Sequence, residues 1–156
     1  YEPWAGTVRV WGVDAAQLAP QARRRFVGHV DQAFRAVPGT VADQITLGDP
    51  SVSHEEMAQA ARLAGIGAAL EALPQGYDTP YSEGLLSQGQ TQLLSIARAV
   101  AANPKLLLLD EITANLDSGT EQQVMEALRR ASQNRAVLSI SHRLYEQSGQ
   151  GRIVQI

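Results

Sequence analysis

Residues 106–109 are four successive leucines that run straight into the adjacent carboxylates Asp110 and Glu111. A leucine run without alternation is expected to form a strand covered on both faces, as in the middle of an α/β sheet. Ligands gather at the carboxyl ends of such strands. Buried charge without a partner is costly, so Asp110 and Glu111 are candidates to meet a metal ion or a water to be activated. The plain alternative is a strand that simply exits into a polar loop.

The segment before the leucines has its own logic. Ser87 is a good helix N-cap, and Gln90 stands three residues on, where a capping box takes Glu or Gln. The amides of a first helical turn favour an anion, and Gly89 permits close approach of another surface. Leu93, Ile96, Ala97 and Val100 then lie on one face at helical spacing. Arg98 interrupts the small residues and is expected to face solvent or a carboxylate. Asn103-Pro104 ends the helix.

The rest of the chain reads as strands and helices around this segment. Thr7 to Trp11 is a strand candidate, with Gly12 beginning a turn. Pro20 suits a first helical position. Arg23-Arg24-Arg25 is too short a run for a nucleic-acid surface and is expected on a solvated face or against a carboxylate. Phe26 to Val30 reads as a strand ending in Asp31-Gln32. Val41 to Leu47 is a short helix, and residues 53–73 are helical, opened by a Ser53/Glu56 capping box and broken at Gly65-Ile66-Gly67. Met57, Ala60, Ala61 and Ala64 form its core stripe. Ser118 with Glu121 suggests another capping box, before a helix to about Ser132 with Val124, Leu128 and Ala131 inward. Ala136 to Ile140 is a further strand, with Ser141-His142-Arg143 at its carboxyl end, and Gly151 to Ile156 a last one. His142, Gln32 and Asp110-Glu111 thus all follow strands, which favours a functional site over a structural histidine. The pattern is α/β, with core parts at 1–32 and 101–156 and a helical subdomain at 33–100.

Composition narrows the classes. The 156 residues suit one domain. The formal charge of −3 argues against a broad nucleic-acid surface, and the absence of cysteine removes disulfides, thiolate metal sites and cysteine catalysis. Nothing reads as a membrane span or signal peptide. The abrupt start at Tyr1 suggests a chain that begins inside a larger natural domain.

Together these residues resemble the nucleotide-binding domain of an ATP-binding cassette transporter of the exporter type. Leu86-Ser87-Gln88-Gly89-Gln90 resembles the signature LSGGQ, Leu106 through Glu111 the Walker B strand with its catalytic glutamate, and Ala114-Asn115-Leu116-Asp117 the D-loop. His142 matches the switch histidine and Gln32 the Q-loop glutamine. The resemblance implies a partial RecA-like P-loop NTPase core with an inserted α-helical signature subdomain. It covers nearly the whole chain but only part of the family domain. No G-x-x-x-x-G-K-[ST] occurs in this sequence, and the aromatic A-loop and the strand and helix around Walker A are absent. Loss of that strand is expected to leave a slot in the sheet. Other departures are Gln88 in place of the usual glycine, a shortened loop before Leu86 that keeps Glu83-Gly84 as an X-loop remnant, and a short Tyr145–Gly151 segment.

The family binds ATP and Mg²⁺ between two domains packed head to tail. By that resemblance Asp110 and Gln32 serve the metal, Glu111 is the general base, and His142 contacts the γ-phosphate. Ser87, Gln88, Gly89 and Gln90 clasp the nucleotide of the opposite site, and Asp117 lies across the dimer interface. The implied partners are a second nucleotide-binding domain and a transmembrane domain fused upstream, with no nucleic acid. The implied location is the cytoplasmic face of a membrane. Without Walker A this chain alone is expected to be inactive or nearly so. An alternative is a non-catalytic fragment that docks on an intact domain. DNA-repair ATPases of the same superfamily carry a coiled-coil insertion for which there is no room here.

Overall fold

The computed structural model describes residues 6–31, 33–110 and 117–140. The chain opens with a hairpin of β1 (Arg9–Val10) and β2 (Val13–Asp14). Its two turn residues, Trp11 and Gly12, both take positive φ, 50° and 79°, as a two-residue turn matched to strand twist requires. Helix α1 (Pro20–Phe26) starts at Pro20 and feeds β3 (Val27–Val30).

A helical layer follows: α2 (Val41–Thr46), α3 (His54–Ala64), α4 (Gly67–Glu71) and α5 (Gln88–Val100). Thr40 with Asp43, Ser53 with Glu56 and Ser87 with Gln90 form complete capping boxes at α2, α3 and α5. Each is a contact between positions three apart and so needs no tertiary help. Gly65 ends α3 at φ 82°, the left-handed cap that glycine takes without strain. Ile45, Met57, Ile66, Leu70, Leu94 and Ile96 are fully buried and form the core of this layer. Helix α5 packs against α2 and α3 and also against β3, so it joins the helical layer to the sheet.

The sheet is parallel, in the order β3, β4 (Leu106–Asp110), β5 (Ala136–Ile140), with α6 (Ser118–Ala131) between the last two strands in sequence. Val30 pairs with Leu109, and Asp110 with Ile140. These strands are contiguous, so the expected slot is not found among the described ones.

Among the described residues the leucine strand is closed on one face and more open on the other. Leu107 and Leu109 are buried, whereas Leu106 and Leu108 are half-buried. On β5, Leu138, which pairs with Leu108, is 59% exposed. The α5 face is closed, and closely: a Cβ on Gly28 would lie 2.3 Å from the carbonyl oxygen of Ala99 and 2.9 Å from Leu107 Cδ2. Glycine in β3 is therefore what allows the helix down onto the sheet.

The cap of α6 also differs from expectation. Asp117, not Ser118, is the N-cap, and its side chain accepts from the amides of Gly119 and Thr120. Ser118 is the first helical residue. An ionised carboxylate is the stronger acceptor at a helix N-terminus. The last strand expected at 151–156 lies outside the described residues.

Candidate functional site

The parallel register brings the carboxyl ends of β3, β4 and β5 to one edge of the sheet. Asp110 is the final residue of the middle strand and half-buried. Gln32, Glu111 and His142, expected to carry the chemistry, lie outside the described residues, as does the D-loop up to Leu116. The strands that lead into Gln32, Glu111 and His142 are neighbours. No cluster of three or more metal-ligating side chains occurs among the described residues. The donors expected at this edge, Asp110, Glu111 and Gln32, are all oxygen ligands, which suits a hard cation such as Mg²⁺.

The second part of the site is the tip of α5. Ser87 Oγ accepts from the amide of Gln90 at 3.2 Å, and Gln90 Oε1 accepts from the amide of Ser87 at 3.0 Å. The Gln90 side chain is thereby held by its own helix. Thr91 Oγ1 donates to the carbonyl oxygen of Ser87 at 2.9 Å. Ser87 and Gln88 are exposed, and Gly89 is half-buried. The tip thus presents a small, rigid, polar end with first-turn amides directed out of the helix. The close approach allowed by Gly89 has an identified neighbour: a Cβ there would lie 2.5 Å from Thr120 Cγ2.

Asp117 is exposed, and the Thr120 hydroxyl donates to its Oδ2 at 2.6 Å. That bond first, then the Thr120 amide, hold its carboxyl below the usual aspartate range.

A third feature escaped the sequence reading. Arg98 is half-buried, and its hydrogen bonds go to carbonyl oxygens and a side-chain amide oxygen, not to a carboxylate. Its Nε donates to the carbonyl oxygen of Gln44, its Nη1 to that of Arg35 at 2.8 Å, and its Nη2 to Gln44 Oε1 at 3.3 Å. Burial brings its pKa down to about 10, so it remains a cation at neutral pH. Gln44 is fully buried and fully bonded. Its Oε1 accepts from the amide of Val37 at 2.9 Å, and its Nε2 donates to the carbonyl oxygens of Val37 at 2.7 Å and Thr40 at 3.1 Å. The segment just after Gln32 is thus tied to α2 and α5. The i, i+54 separation of Arg98 and Gln44 leaves no local signal for their pairing.

Arg24, in the basic run, does find a carboxylate: Asp49, at 3.4 Å. It also donates to the carbonyl oxygens of Thr46 and Ile45. Burial lowers its pKa, and Asp49 opposes that shift.

A groove of about 540 Å³ opens between this segment and the turn before α5, lined by Phe34, Val37, Pro38, Tyr81, Glu83 and Leu86. The Phe34 and Tyr81 rings stand 5.9 Å apart. Among the described residues no helix is long and apolar enough to cross a membrane.

Comparison with known proteins gives concordant matches. The family described as "ABC transporter" matches residues 1–114. The uncharacterized ABC transporter ATP-binding protein YfiC of Bacillus subtilis is 41% identical over 146 residues, 92% of this chain and 24% of that protein. The alpha-hemolysin translocation ATP-binding protein HlyB of Escherichia coli O157:H7 is 38% identical over 156 residues, 99% of this chain and 22% of its own length. Among solved structures, a bacterial Atm1-family ABC exporter with ATP bound superposes with a TM-score of 0.73 at 38% identity, over 92% of this chain and 26% of the other. The chain therefore spans about a quarter of the length of these relatives.

Proposed function

The chain belongs to the ABC transporter family, and on that premise we propose that it is part of the ATP-binding domain of a membrane exporter, working at the cytoplasmic face as one of two domains packed head to tail. The reading is supported above all by the shared edge of β3, β4 and β5, which lead into Gln32, Glu111 and His142 and place Asp110 last on the middle strand.

In this reading Mg-ATP supplies the transferable phosphoryl group and the charge-neutralising cation. Positioning and electrostatic stabilisation then make up most of the catalysis. Asp110 and Gln32 would hold the metal, and Mg²⁺ suits oxygen donors few in number because it keeps several waters. Glu111 takes the proton of the attacking water. His142 holds the γ-phosphate and Glu111 in register. With the Ser87 and Gln90 amides held in the capping box, the tip offers the amides of Gln88 and Gly89 to the nucleotide of the opposite domain, and Asp117 faces that domain across the interface.

The groove beside Phe34, Tyr81 and Glu83 supports a transmembrane partner. It joins the segment after Gln32 to Glu83-Gly84, where the family resemblance puts contact with the membrane domain.

In the intact transporter, Glu111→Gln is expected to retain ATP binding and to lower turnover at least about a hundredfold. Unchanged hydrolysis would refute the base assignment. The present chain alone, without the Walker A lysine and amide nest, is expected to show no micromolar ATP binding by calorimetry, and a micromolar titration would overturn that expectation.

A further inference from the structure

Gly89, on the exposed tip of α5, and Asp117, ahead of α6, are 28 positions apart in the numbering, 117 less 89, yet one side chain touches both. Thr120 puts its methyl against the α carbon of Gly89, so closely that an added Cβ would come within 2.5 Å of it. On its other branch the same residue donates its hydroxyl to Asp117 Oδ2 at 2.6 Å, while its amide donates to Asp117 Oδ1 at 3.0 Å. A threonine has one torsion to place both branches. With the hydroxyl held by an ionised carboxylate, the methyl is not free to swing away. An ordinary side-chain end would yield to a new Cβ, but this one yields only by breaking a charge-assisted bond.

We propose that Thr120 is a positioning residue that fixes the Ser87–Gln90 tip to the Asp117 cap, so that these two elements move against the opposite domain as one piece. The inference rests on the ATPase reading, in which both elements meet the partner domain. Its physical content is narrower: the glycine at 89 is required by a neighbour in its own chain and not only by the nucleotide. A tip displaced by even part of an ångström is expected to lower turnover through misalignment.

The test uses the intact transporter that contains this chain, with kcat, KM for ATP and melting temperature measured for Gly89→Ala, Thr120→Ser, their combination and Thr120→Val. Serine keeps the hydroxyl and removes the methyl; valine keeps a methyl and removes the hydroxyl. Gly89→Ala is expected to lower kcat at least about tenfold with KM little changed. Adding Thr120→Ser should then bring kcat back to within about threefold of Thr120→Ser alone. Thr120→Val alone should lower kcat, because it removes the hydrogen bond to Asp117. Losses in kcat that Thr120→Ser does not relieve, or relief seen in melting temperature alone, overturn the positioning role. A wild-type transporter with no ATP turnover overturns the ATPase reading itself, so the two failures are distinguishable.

Discussion

The guanidinium carbon of Arg98 sits 4.1 Å from the centroid of the Phe34 ring, stacking a cation of the signature helix on the segment that follows Gln32. The stacking adds to three hydrogen bonds from the same side chain. Planar guanidinium serves a ring face and divergent carbonyls at once, which an ammonium does not. α5 and the post-Gln32 segment are thereby joined by one residue.

Arg98→Met should cost about 2–4 kcal/mol in urea unfolding, because it removes charged hydrogen bonds and takes the side-chain donor from the carbonyl oxygen of the buried Gln44. Arg98→Lys should recover less than half of that loss, since lysine restores the charge but not the fork. Full recovery by lysine would show that charge, not geometry, is what the site uses.

Gln44→Leu is expected to destabilise by about 1–3 kcal/mol, since the amide and carbonyl of the half-buried Val37 both lose their partner. Combined with Arg98→Met, the losses should be strongly non-additive, because the two side chains share a bond. A double-mutant cycle in urea measures this, and strict additivity would argue against a single network.

Gly28→Ala should cost about 2 kcal/mol or more through overpacking, because the new methyl meets the Ala99 carbonyl oxygen, Leu107 and Pro104 together. By contrast Gly12→Ala has nothing near its Cβ and only a positive φ of 79° to strain, so its cost should be near 1 kcal/mol. Thermal unfolding of both variants should rank them in that order.

Acid should weaken the fold through its caps. Backbone amides at Thr40 and Ser53 hold the carboxyls of Asp43 and Glu56 low, and the Thr120 hydroxyl does so for Asp117. The folded carboxylates bind protons less readily than the unfolded ones, so the unfolded chain takes up more protons as pH falls. The stabilisation is complete above the ordinary values, 3.8 for aspartate and 4.5 for glutamate, and is lost as pH drops through the lower folded values. The urea midpoint should be level from about pH 7 to about pH 5 and fall below about pH 4.5. In Asp117→Asn the fall should be shallower, and a midpoint that rises on acidification would contradict the assignment.

Much of the architecture was legible because it is written in short-range contacts. The Ser53/Glu56 and Ser87/Gln90 boxes, the αL break at Gly65 and the placing of β3, β4, β5 and α5 each depend on residues a few positions apart. The strand ends that gather the candidate site follow from those elements and from parallel pairing. The D-loop cap was misassigned because Ser118 and Asp117 are both competent N-caps, and only the observed geometry selects the carboxylate.

What the sequence by itself determined was most of the helices and strands and the order in which their polar ends follow one another, since capping, periodicity and apolar runs act locally; Trp11, expected in a strand, is instead a turn residue, and Phe26 ends α1 instead of opening β3. Tertiary structure alone decided that Arg98 reaches the carbonyls of a distant segment and that Thr120 lies against Gly89. Each of these depends on what is brought near from far along the chain, and no pattern of neighbouring residues encodes the partner's position.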